Sequence, residues 1–233
     1  MSSNAATVLE HLKLTPGLSS LAPLEAPRQY IETRLPRLDA LLGGGLPCTV
    51  TELVGARSSG RTALAHALAA SMTKAGELVA CVDLPDAFDP EHAALAGVQL
   101  SQILWVRPQD VRTALRVTEH VVAAGGFRLV LLDLDQARGG SPAQARGGSP
   151  AVWLRLARTA TRNGTAVVTL GAQRTAGAFA SLSLEISRQR VSFSHQGGPC
   201  PLFDGLDGRV RLCKSRQAPL SEAGACLVVP AVA

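Results

Sequence analysis

Thr49-Val50-Thr51-Glu52-Leu53-Val54-Gly55-Ala56-Arg57-Ser58-Ser59-Gly60-Arg61-Thr62-Ala63-Leu64-Ala65-His66-Ala67-Leu68-Ala69-Ala70 is the stretch that decides the fold. Its opening reads as a strand, its centre as a glycine-containing loop, and its end as a run of good helix formers. The loop fits G-x-x-x-x-G-K-[ST] at every fixed position except the lysine, which is Arg61. Between a strand and a helix, such a loop turns backbone N–H groups and the helix N-terminus toward an anion. Gly55, Ser58, Ser59, Gly60, Arg61 and Thr62 are the candidate phosphate-binding residues. In a working loop the lysine reaches the outer phosphates, and the hydroxyl of the last residue, here Thr62, holds Mg²⁺. Arg61 keeps the charge, but its planar guanidinium is not a conservative exchange and is long enough to fill the phosphate site itself.

The rest of the chain repeats this alternation. Apolar runs at 78–83, 129–133 and 165–170 read as strands buried on both faces, and helices are expected over 35–42, 109–124 and 152–162. The last of these carries Trp153, Leu156, Ala157 and Ala160 on one face and Arg155, Arg158 and Arg162 on the opposite one. The expected class is α/β: a mainly parallel central sheet with helices on both faces. Short strand segments at 182–186, 190–193 and 209–213 extend it antiparallel at one edge. Asp133 ends a strand at the edge where open α/β sheets bind ligands, and with Thr62 it is the candidate metal-binding pair. Asp83 is a second carboxylate on that edge.

Three segments lie outside this pattern. Residues 1–28 are an arm too rich in proline for continuous helix, residues 29–220 are the core, and residues 221–233 are a short apolar tail, either an extra edge strand or a partner-binding end. Within the core, Gln136-Ala137-Arg138-Gly139-Gly140-Ser141-Pro142-Ala143 recurs unchanged as residues 144–151. The expectation over 135–151 is a mobile repeat loop, either a tolerated duplication or a basic flap whose Arg138 and Arg146 touch DNA phosphates weakly.

Composition narrows the function classes. At 46% hydrophobic and 18% charged residues over 233 positions, the chain is a folded protein and not a disordered one. No apolar run reaches the roughly 18–20 residues of a membrane span, and Met1 to Leu12 lacks a signal-peptide pattern, so a cytoplasmic protein with no membrane partner is expected. Five scattered cysteines without a CxxC pair suggest neither a disulfide framework nor a zinc site. The net charge of +5, carried mainly by arginine, permits contact with nucleic acid, or simply reflects a GC-rich coding sequence. Aromatic residues at 3% argue against a base-stacking platform.

In order and spacing, five stretches resemble the bacterial RecA recombinase core: Leu38 to Pro47, Glu52 to Thr62, Val82 to Val98, Phe179 to Ile186 and Arg209 to Leu220. The resemblance implies a RecA-like P-loop NTPase fold. It also implies that Asp89 and His92 line the adenine position, His92 standing where the family usually has a stacking tyrosine. The family's catalytic glutamate falls on Pro85, with Asp86 displaced by one, and its phosphate-sensing glutamine falls on Ala172, with Gln173 displaced by one. Only 171–178 remain where the family carries its long DNA-gripping loop, and the Arg/Gly repeat takes the place of the other DNA loop. Lys214 and Arg216 match the basic pair that reaches across a subunit interface to a neighbour's phosphates, and the arm sits where the family's docking arm sits.

A RecA-like core with these losses is similar to the ImuA family of damage-induced mutagenesis cassettes. That similarity implies a non-catalytic accessory protein of translesion synthesis in the SOS response, acting at the nucleoid. Its implied partners are RecA, an ImuB-type polymerase homologue and, weakly or indirectly, single-stranded DNA, with no required cofactor and ATP/Mg²⁺ at most weakly bound. The alternatives are an ATP-binding, weakly hydrolysing recombination mediator and a RecA-fold inhibitor of cell division.

Overall fold

The computed structural model describes residues 30–135, 148–194, 202–216 and 224–230. The arm at 1–28, most of the repeat with Arg138 and Arg146, and part of the tail lie outside the described residues. The strands are β1 (Tyr30–Ile31), β2 (Leu46–Pro47), β3 (Val50–Val54), β4 (Leu78–Asp83), β5 (Ile103–Val106), β6 (Phe127–Asp133), β7 (Ala166–Gly171), β8 (Leu182–Ser194), β9 (Leu202–Ser215) and β10 (Gly224–Pro230). The α-helices are α1 (Pro36–Leu42), α2 (Arg61–Lys74), α3 (Pro90–Leu95), α4 (Val111–Ala124) and α5 (Pro150–Asn163).

The main sheet runs β10-β9-β8-β3-β7-β6-β4-β5. Neighbours from β8 to β5 pair in parallel, whereas β9 and β10 add antiparallel. Strand β6 shows why the central strands are apolar throughout: Leu129 and Leu131 join the core on the α2 side, while Val130 and Leu132 join the core under α4 and α5. The α/β class and the antiparallel edge are as expected. Three details differ. The segments 182–186 and 190–193 are one strand, because the polar Arg188-Gln189-Arg190 break is a register shift that β8 continues through. The sheet continues past 220 into β10, so part of the tail is an edge strand. Pro150 opens α5 at its first position, which shortens the repeat loop at that end.

Local chemistry fixes the ends. Gly43 closes α1 in the left-handed region at φ +71°, and a Cβ on Gly45 would lie 2.3 Å from the Ile31 carbonyl oxygen. Asp110 caps α4 by accepting from the Thr113 N–H and hydroxyl. Among the described residues, Cys48 and Cys81 are buried free thiols, Cys213 is a half-buried one, and no helix is long and apolar enough to cross a membrane.

Candidate functional site

The loop from β3 to α2 has the shape its sequence demands. Gly60 precedes α2 at φ +101° with no side chain capping the helix, so the first N–H groups of α2 are not covered by a cap. Ser58 sits at φ +56°, a conformation uncommon for a residue with a Cβ. Gly55 N–H donates to the Gly171 carbonyl at 3.2 Å, tying the loop to the end of β7. A Cβ on Gly55 would lie 2.5 Å from the Ile186 carbonyl oxygen, so glycine is required there by close approach. Ser59 is buried and its hydroxyl has no partner. Thr62 is exposed.

Arg61, at the lysine position of the loop, has its partner within the chain. It is buried, and its guanidinium donates to the Asp135 carboxylate at 2.5 Å. Asp135 was not among the sequence candidates. It follows Asp133 by two residues, and its N–H donates to the Asp133 carboxylate at 2.8 Å. Burial pushes the Asp133 carboxyl up to about 6, against the lowering pull of that N–H and of Arg61. Asp83 and Asp133 sit side by side on β4 and β6. Asp83, however, spends its oxygens inside the fold, accepting from Ala87 N–H, Phe88 N–H and the Trp105 indole N–H at 3.0, 2.9 and 3.2 Å. A cavity of about 40 Å³ under the loop is lined by Thr62, His66, Asp83, Phe88 and Asp133, so the two candidate metal-binding residues, Thr62 and Asp133, border the same space.

The adenine-side residues have other duties. Asp89 accepts from His92 N–H at 3.1 Å and caps α3. The exposed His92 ring lies 5.9 Å from that of His66, which packs edge-on against Phe88. His66 is buried with Nδ1 unpartnered, and its basicity is lowered first by burial and then by His92, against the opposing pull of Asp89. Pro85 lies in the turn after β4. Asp86 points outward to Arg107 at 3.7 Å, both side chains well exposed, and Ala172 and Gln173 are exposed.

On the other side of β3, the short segment after β7 is held firmly. Glu52, 1% exposed, accepts from the N–H groups of Thr175, Ala176 and Gly177 at 2.8, 2.8 and 3.1 Å and from the Ser183 hydroxyl at 3.1 Å. Lys214 Nζ donates to the carbonyls of Gly177, Ala178 and Ala180 at 2.8, 3.2 and 2.6 Å, and Arg216 donates to Ala178 at 2.5 Å. The two cations expected to reach toward a neighbouring subunit are folded onto the chain's own 177–180 segment. Glu52 could be found in the sequence as the lone charge in an otherwise uncharged strand.

The glycine loop and uncapped helix start fit a phosphate, whereas the cation that should meet its outer oxygens is bound to Asp135. The backbone cradle is thus present, with the Arg61 guanidinium paired to Asp135 beside it.

A phosphate-cradle loop at the carboxyl edge of a parallel sheet, with an antiparallel hairpin beyond, defines the chain as a P-loop domain of the nucleotide-binding α/β class. The RecA N-terminal domain family matches residues 26–142, half of the chain. The chain belongs to that family. It is 37% identical over 132 residues to Protein RecA of Trichodesmium erythraeum, covering 54% of this chain and 37% of that protein. It is 40% identical over 107 residues to Protein RecA of Chlorobium chlorochromatii, covering 45% and 30%, and 37% identical over 111 residues to Protein RecA of Streptomyces venezuelae, covering 47% and 29%. The match thus spans between 29% and 37% of the length of these relatives.

Proposed function

We propose that the chain is a RecA-like accessory protein of the ImuA type, acting in damage-induced mutagenesis by binding RecA and an ImuB-type polymerase homologue and not by turning over ATP. The Arg61–Asp135 pair carries the reading, because it engages the cation at the loop's lysine position inside the protein. Phosphoryl transfer rests on positioned charge and an oriented water. Here Pro85 offers no acceptor at the glutamate position, and Asp86 is exposed on the surface, 3.7 Å from Arg107. Lys214 and Arg216 are likewise engaged within the chain, which speaks against a subunit junction built on phosphate contacts. Single-stranded DNA is contacted weakly, and the protein works at the nucleoid without a required cofactor.

The alternative, an ATP-binding recombination mediator with slow hydrolysis, draws on the well-formed backbone cradle at Gly55 and Gly60. The test is binding of the purified chain to RecA, free and as an ATP-loaded filament on single-stranded DNA. Binding to the filament is expected, and absence of binding in both states removes RecA as the partner.

A further inference from the structure

The arginine face of α5 has no part in the site above, and it borders a cleft between α4 and α5 on the sheet face opposite α2. The cleft encloses about 530 Å³, within the roughly 300–1,000 Å³ range of sites that take a ligand or an anchoring side chain. Its apolar lining is Val111, Leu115 and Val152, and Arg112, Arg116 and Arg155 stand around it. Arg155 pairs with Glu119 at 3.1 Å. Arg112 and Arg116 are exposed one helical turn apart, and among the described residues neither has a carboxylate within salt-bridge distance. The nearby Asp110 carboxylate caps α4 through Thr113 and also feels the Arg112 charge.

We infer that this cleft docks an acidic amphipathic helix of a partner protein, with apolar side chains over the half-buried Val111 and Val152 and carboxylates toward Arg112 and Arg116. An apolar lining beside exposed cations suits a helix with one greasy and one acidic face, whereas a phosphodiester chain gains nothing from valine side chains. Charge also disfavours this chain as the occupant. Residues 136–147 carry Arg138 and Arg146 and no acid, residues 1–29 balance Glu10 and Glu25 against Lys13 and Arg28, residues 195–201 and 231–233 carry no acid, residues 217–223 carry the single acid Glu222, and a second copy brings the same net +5. The inference stands independently of the proposed function.

The test uses the full chain and a fluorescent synthetic helix of Leu-Glu-Glu-Leu-Leu-Glu-Glu repeats, read by anisotropy at low salt. Binding is expected to weaken about tenfold or more in Arg112→Glu/Arg116→Glu and about threefold or more in Arg112→Gln/Arg116→Gln, as loss of interfacial charge complementarity requires. The same repeats with lysine for glutamate should fail to bind, and the acidic helix should slow amide exchange at 111–119 and 149–155. The inference is overturned by equal affinity in the variants, by protection elsewhere, or by a benzophenone side chain at position 152 cross-linking to residues 1–29 or to a second copy.

Discussion

Arg61 and Asp135 meet at the carboxyl edge of the sheet, Nη2 to Oδ2 at 2.5 Å, with the arginine only 9% exposed. The first residue of α2 is thereby tied to the chain just beyond β6. A lysine on the same backbone is shorter and presents a point charge, whereas the guanidinium can turn sideways and still complete a charge-assisted hydrogen bond. The substitution at the loop's one variant position and the acid two residues past Asp133 form a single feature.

Removing the acid should expose this dependence. Asp135→Ala leaves a buried guanidinium without its carboxylate and is expected to cost ~2–3 kcal/mol, a fall in Tm of roughly 5–10 °C. The double change Arg61→Lys/Asp135→Asn is expected to raise affinity for a fluorescent ATP analogue by about tenfold or more, since it frees a cation for the cradle. An Asp135→Ala protein that melts like the parent would show that the pair does not hold Arg61.

Glu52 should prove to be the anchor of the segment after β7. Glu52→Ala withdraws the acceptor from three N–H groups and one hydroxyl, with an expected loss of ~3–5 kcal/mol. Amides of Thr175, Ala176 and Gly177 should then exchange at rates typical of open loops, while those of β6 lose only global protection. Unchanged exchange at these three positions would contradict the assignment.

Acid sensitivity should trace in part to His66. Its folded basicity is depressed from the ordinary value of 6.5, chiefly by burial. The unfolded chain therefore binds this proton first, and stability is full above pH 6.5 and falls as the pH drops below it. His66→Leu removes both the orphaned Nδ1 and the titration. It is expected to be at least as stable as the parent at pH 7, with the gap widening in its favour toward pH 5 in thermal melts. A gap that is constant with pH would place the titration elsewhere.

Much of the fold could be read in the sequence, because a parallel strand buried on both faces has a simple signature. Leu129-Val130-Leu131-Leu132 alternates between two cores, and no other element writes that pattern so plainly. Strand β5 escaped because it is an edge strand of three half-buried residues and one exposed, Leu104 at 41%. The six-residue helix after Asp89 has one buried residue, Ala93, and hence no periodicity to detect. The site divides the same way. The cradle follows from glycine spacing, which is local. The partners of Arg61, Lys214 and Arg216 depend on how long side chains turn in three dimensions, and nothing along the chain records that choice.

ATP turnover by the purified full chain, measured with and without single-stranded DNA, tests the central claim most directly. The account predicts no turnover above background in either condition, with Arg61 paired to Asp135 and proline at position 85. Robust hydrolysis stimulated by DNA would contradict it and make the chain a nucleotide-driven mediator.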